Sequence, residues 1–234
     1  AANFGPNGVV KSDPIQIING NNSNGNALKT LINNNNIDII VIAYSYDVNL
    51  DAATRKVLAD FVNIKKGVLI HSQELFPDTN KATINAIIGG GSSANVIGIG
   101  THINKIMQIS DPVLDGPFLD LKGKLLGTDA TTTCDSATNL PSDVIVLATT
   151  SNNSSNVFAF RHSTKGYLWC GDAGFIAGNS SNSSGDIYPG KISSAGAPLS
   201  KSYTGGVVYN SYFYANAMAW AIQYAQANKL DTKI

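Results

Sequence analysis

Ionised side chains are scarce in this sequence: Asp, Glu, Lys and Arg make up 14% of its 234 residues, against 43% hydrophobic. The 16 basic residues are balanced by 16 acidic ones. A chain without net charge exerts no general pull on nucleic acid or an anionic membrane, so a polyanion partner is not expected. Long apolar runs are missing too. The longest, Ile37 to Tyr44, has strand length and contains Asp38, far short of the roughly 20 residues that cross a bilayer. Cysteine is limited to Cys134 and Cys170, which allow one disulfide at most. Export would favour bridging them and a cytosolic setting would keep two unrelated thiols; both readings stay open. The three histidines, His71, His102 and His162, lie in different segments, so no metal-ligand spacing is present and no metal is expected. The sequence also shows no internal repeat, coiled-coil heptad or block of like charge.

What is there suits a single α/β domain over residues 1–234. Polarity comes from Asn, Ser, Thr and Gly. The chain starts Ala1-Ala2-Asn3 without Met, as a processed precursor would, although a trimmed start explains this equally well. An extracytoplasmic location, periplasmic or at the cell surface, is the expectation, with room for other domains of a larger chain.

Residues 1–26 read as a strand and loop region, with apolar pieces Gly8-Val9-Val10 and Ile15 to Ile18 ahead of a turn-rich tract, Asn19 to Asn26. Ala27 to Ile32 suits a short helix. Asp38 to Tyr44 is continuous and β-branched, the pattern of a strand covered on both faces, and is the expected central strand. Asp51 to Lys66 places Val57, Leu58, Phe61 and Val62 at helical spacing, with Asp51 near the start and Gly67 as stop. Val68 to Ile70 then forms the next strand, parallel to the last through a helical crossover. Asp78 or Thr79 caps a helix through Ile84, Ile87 and Ile88 that ends at Gly89-Gly90-Gly91. Val144 to Ala148, Val157 to Phe160 and Tyr167 to Trp169 are spaced too tightly for parallel crossovers and read as antiparallel strands. A Ser/Gly/Asn-rich stretch, 175–206, reads as a long loop or lid. Tyr209 to Asn228 is an amphipathic closing helix. The fold class is therefore α/β, a three-layer flavodoxin-like domain with a mainly parallel sheet and antiparallel strands in its C-terminal half.

Several segments occur in an order that resembles the class I glutamine amidotransferase-like group, closest to its trehalose-utilisation (ThuA-like) branch. They are Lys66-Gly67-Val68-Leu69-Ile70-His71-Ser72-Gln73-Glu74, Ile87-Ile88-Gly89-Gly90, Asp111 to Phe118, Val157 to Phe160 with Gly166 to Trp169, and Phe213 to Trp220. Together they span most of the chain from about Ile37 onward. The resemblance implies a Cys-His-Glu arrangement with the cysteine on a tight turn after a strand, where backbone N–H groups stabilise an oxyanion. Here that turn carries His71, Ser72 and Gln73. Asp172, in Cys170-Gly171-Asp172, stands where the histidine is expected. The glutaminase reading therefore fails, and no catalytic residue is assigned.

In open α/β sheets ligands sit outside the carboxyl ends of the strands. This makes Tyr44, His71, Ser72, Gln73, Glu74 and Asp172 the candidate pocket. Ser72 is a nucleophile or, more commonly for such a hydroxyl, a group that satisfies the turn. His71 and Ser72 point to opposite faces of a strand, so His71 is a poor base for Ser72. Glu74 and Asp172 form an acid and base pair, or two rim carboxylates. Cys170 ends a buried strand, where a thiol is inert packing or half of a bridge. Gly89-Gly90-Gly91 follows a helix rather than opening one, so no nucleotide site and no cofactor are implied. Two functions remain: a non-catalytic binding or structural domain of an exported bacterial protein, or a carbohydrate-active enzyme or isomerase using His71, Glu74 and Asp172. The ligand in either case would be a carbohydrate or small polar molecule.

Overall fold

The computed structural model describes residues 3–20, 24–43, 50–100, 103–129, 134–179 and 187–234. In chain order they form α1 (Gly25–Asn35), β1 (Ile39–Ile42), α2 (Ala52–Asn63), β2 (Val68–Ser72), α3 (Pro77–Ile88), β3 (Asn95–Ile99), β4 (Ile103–Ile106), β5 (Leu125–Gly127), β6 (Cys134–Thr138), β7 (Val144–Thr150), β8 (Asn153–His162), β9 (Tyr167–Cys170), β10 (Gly178–Asn179), β11 (Gly190–Lys191), β12 (Lys201–Tyr203), β13 (Gly206–Val208) and α4 (Asn210–Asn228). The main sheet runs β1-β2-β9-β8-β7-β4-β5-β13-β12, with β6 on β8 and β3 on β6. Parallel ladders join β1 to β2, β2 to β9 and β5 to β13. The antiparallel ladders include the expected β7–β8 and β8–β9 pairs and also reach β3, β4 and β6. The result is the mixed α/β architecture that the pattern of elements implies.

Alternation along β2 divides the interior in two. Val68 and Ile70 face a core shared with Phe213, Ala217 and Trp220 of α4, whereas Leu69 faces one shared with Leu58 and Phe61 of α2 and Ile84 and Ile87 of α3. Neighbours on a strand point to opposite faces. His71 therefore belongs to the α2/α3 side and Ser72 to the α4 side.

The helices start and stop for local reasons. Asp51 caps α2, its carboxylate accepting from the Thr54 N–H at 2.7 Å, and this bond satisfies a donor that the first turn leaves open. The stop differs from expectation. Lys66, not Gly67, takes the left-handed conformation, at φ 59°. Gly67 is required for space, since a Cβ there would run into the Phe61 ring. Pro77 opens α3 at its first turn, ahead of Asp78 and Thr79, because its missing N–H would be unsatisfied there in any case.

Three expectations are corrected. The continuous apolar run of β1 forms the end of the sheet path rather than its centre, with Val41 exposed. Ile39 packs on the α4 side and Ile40 and Ile42 on the α2 side, so such a run reports cover on both faces and says nothing of neighbours at its edges. Ile15 to Ile18 forms no strand, and Ile17 is 89% exposed; among the described N-terminal residues the β pairing is a Phe4–Val10 bridge, with Val10 packed on Ala219 and Ile222 of α4. Within 175–206, β10 pairs β11, and β12 with β13 forms a hairpin on β5, so the expected lid is partly sheet.

The segment around Gly116 is locked onto α4. The Asn216 side-chain oxygen accepts from the Phe118 N–H at 3.1 Å and its amide donates to the Leu119 carbonyl at 2.9 Å. A Cβ at Gly116 would collide with Asn216. Among the described residues no helix is long and apolar enough to cross a membrane.

Candidate functional site

β2 and β9 end side by side, with Ser72 opposite Cys170. The chain then runs on to Glu74 from one strand and Asp172 from the other. Asp129 follows β5, which the sheet path separates from β9 by β4, β7 and β8. Its backbone N–H nonetheless reaches Asp172, donating to Oδ2 at 2.8 Å. Gly174 makes this approach feasible, because a Cβ there would collide with the Asp129 carboxylate. Glu74 is fixed by the backbone N–H of Ala173, which donates to its Oε2. Glu74, Asp129 and Asp172 thereby converge: each places a carboxylate oxygen within 4.8 Å of the other two, and all three residues are buried.

Burial penalises a carboxylate anion, and anionic neighbours add to that cost. Burial, then the charges of Glu74 and Asp129, push the Asp172 carboxyl well above the usual range. Asp135 lies beside the group, its N–H donating to the Gly171 carbonyl at 2.6 Å and its Oδ2 accepting from Asn80 at 2.7 Å. Burial drives its carboxyl up to about 7, against the Asn80 hydrogen bond and with help from Glu74.

Cys134 and Cys170 are free, buried thiols in this structure. Cys134 Sγ donates to the Gly100 carbonyl at 3.2 Å. Burial raises both thiols, and nearby carboxylates, Asp172 first, raise them further. A thiolate, the reactive form, is disfavoured at both positions.

Of the residues singled out in the sequence, Glu74 and Asp172 come together and His71 does not join them. His71 is fully buried on the α2/α3 side, with Nδ1 3.2 Å from the Tyr167 hydroxyl and Nε2 3.1 Å from Gln73 Oε1. Burial lowers its pKa to about 4, so near neutrality it is an uncharged, hydrogen-bonded core residue. Ser72 lies on the other face. Its hydroxyl is near enough to the Cys170 thiol to favour the thiolate slightly, yet it makes no hydrogen bond of ordinary geometry among the described residues. Gln73 donates its N–H to the Cys170 carbonyl at 3.2 Å and accepts from Asn80 at its own carbonyl. His71, Ser72, Gln73, Glu74 and Asp172 are all buried rather than lining an open rim. Tyr44 lies outside the described residues.

Asp129, Asp135 and Asn80 were not singled out from the sequence. The usable signal for Asp129 is an acid two residues beyond a short strand, Leu125-Leu126-Gly127. Asp135 lacks even that, since it sits within β6 and reaches the group only through pairing at Gly171.

No protein-family model and no curated sequence matches the chain. Solved structures do. A Thermoplasma acidophilum protein described as a GMP synthase component superposes with a TM-score of 0.51 at 10% identity, covering 91% of this chain and 83% of that one. A ThuA-like protein from Bacteroides uniformis gives 0.46 at 11% identity, over 91% and 78%. The fold is that of class I glutamine amidotransferase-like proteins, as the order of segments implies. At such identity the likeness is one of fold alone.

Proposed function

We propose that the chain is a catalytically silent amidotransferase-like domain, acting as a binding or structural module. The observation that carries this is the isolation of Ser72. A serine nucleophile needs a base within about 2.6–3.2 Å to take its proton. The Ser72 hydroxyl makes no hydrogen bond among the described residues, and the adjacent imidazole points across the sheet to Tyr167 and Gln73. Asp172, at the position where a base would stand, has a carboxyl pushed upward first by burial and then by the charges of Glu74 and Asp129, and its Oδ2 is taken up by the Asp129 N–H at 2.8 Å. The expected result is no turnover above background across a panel of esters, amides and glycosides. Hydrolysis abolished by Ser72→Ala or Asp172→Ala would sink the proposal. A place outside the cytoplasm, within a larger bacterial surface protein, belongs to the same reading. The low ion content and the Asn/Ser/Thr-rich composition support it, and cell fractionation tests it.

A second reading, a carbohydrate-active enzyme, is favoured by one specific feature. Glu74 and Asp172 are adjacent carboxyls of which one is pushed strongly upward, the pattern of a general acid beside an ionised partner. His71 drops out of it, being turned away. Turnover of an oligosaccharide, lost on Glu74→Gln and on Asp172→Asn, selects this reading over the first.

A further inference from the structure

Glu74, Asp129 and Asp172 arrive from three separate parts of the sheet and each is held by a specific device. Ala173 N–H fixes Glu74, the Asp129 N–H fixes Asp172, and the absent side chain of Gly174 lets the Asp129 carboxylate close on them. The charges acting on Asp172 are those of Glu74 and Asp129, both negative. One further observation points to an occupant. Asp172 is 1% exposed, and with Oδ2 committed to Asp129 its Oδ1 has no hydrogen-bond partner among the described residues. A buried polar atom left without a partner costs about 1–3 kcal/mol, so an open oxygen on one of three converging carboxylates marks a place built around something else.

We propose that Glu74, Asp129 and Asp172 form a binding site for a divalent cation, calcium in the first instance. The donor set is all carboxylate oxygen, without imidazole or thiolate, which selects hard cations over zinc or copper. Calcium accepts a shell of protein oxygens in flexible geometry, whereas magnesium demands near-ideal octahedral geometry and usually keeps several waters, so three converging carboxylates that are each 5% exposed or less suit calcium better. The cation neutralises charges that the fold otherwise buries against one another, and ties the strand ends of β2 and β9 to the segment after β5. This goes beyond the catalytically silent reading and does not depend on it: a bound ion is compatible with a silent module and with an active site.

The test is calorimetric titration of the EDTA-treated, dialysed 234-residue chain with CaCl2 and separately with MgCl2, at mildly alkaline pH, alongside thermal unfolding. One calcium site per chain is expected, with a Tm rise of roughly 5–10 °C at about a hundredfold excess over Kd, and a weaker response to magnesium. Asp172→Asn should lose the binding heat while keeping its circular dichroism and an apo Tm no lower than that of the parent, because it removes one of the opposed charges. Exposed Asp13→Asn should bind as the parent does. Absence of heat and of a Tm shift at millimolar CaCl2 overturns the proposal, as does binding that survives Asp172→Asn intact. The hydrolysis panel reads a separate property, so calcium binding without turnover retains both proposals and turnover without binding removes both.

Discussion

Asp111 and Asp172 are both buried aspartates, and the protein treats them in opposite ways. Asp111 is met by a matching cation: Arg161 Nη2 and Nε approach its Oδ2 at 2.7 and 2.8 Å, and Arg161 also stacks on Trp220 of α4. Asp172 is met by two more acids. In the first region charge is cancelled by a side chain of the chain itself, and the pair closes the joint between β8 and the segment that links β4 to β5. In the second region the groups brought against the aspartate carry its own sign. A buried carboxylate is thus informative only together with the sign of what surrounds it.

The contrast can be broken most severely from the closed side. Arg161→Met leaves Asp111 buried and unpaired, with an expected loss of about 3–5 kcal/mol, read from urea unfolding; adding Asp111→Leu should recover much of it, as it removes the stranded charge. The His71 cluster gives the next effect, through pH. Its folded-state pKa is lowered to about 4 from 6.5, so below about pH 6.5 the unfolded chain binds a proton that the folded chain refuses. Stability from this group is complete above pH 6.5 and falls as pH drops toward 4, by roughly 3 kcal/mol in total. The difference in urea midpoint between the parent and His71→Gln should change over that range with this sign, the parent losing ground as pH falls. Asp135 acts with the opposite sign, because its carboxyl is raised: its contribution is greatest below about pH 4 and declines as pH rises toward 7.

Gly174→Ala sharpens the comparison from the open side. The new Cβ meets the Asp129 carboxylate, and overpacking of this kind costs about 1–3 kcal/mol; thermal unfolding should show the loss and calcium titration a weakened site. The smallest effect is the most discriminating. In EDTA, Asp172→Asn should unfold at or slightly above the parent temperature, whereas Arg161→Met should unfold far below it under the same conditions.

Much of this organisation was legible in the sequence where local chemistry decides it. The 3–4 residue spacing of Val57, Leu58, Phe61 and Val62 and the cap at Asp51 placed α2, and tight spacing identified β7, β8 and β9 as antiparallel. The turn after β2 and the approach of Asp172 to Glu74 followed from the order of segments. What escaped depends on which elements become neighbours. β1 has the composition of a central strand and lies at the end of the path, because hydrophobic pattern records covered faces and not lateral partners. Asp129 escaped because β5 is only three residues long and its carboxylate meets Asp172 by a return across three strands. Gly67 looked like a helix stop and serves as clearance for the Phe61 ring, a distinction visible only once that ring is placed.

The alternation of β2 makes the chemistry of its end a matter of counting. His71 and Ser72 are consecutive, yet one is sealed beneath α2 and α3 and the other lies on the side of the carboxylates. Inserting a single residue between Gly67 and Ile70, with the strand held in its ladder, would carry the imidazole to the place of Ser72, opposite Cys170, and seat the Ile70 side chain on the Tyr167 side. An inert core histidine is thus one step of register from the face on which the carboxylates converge.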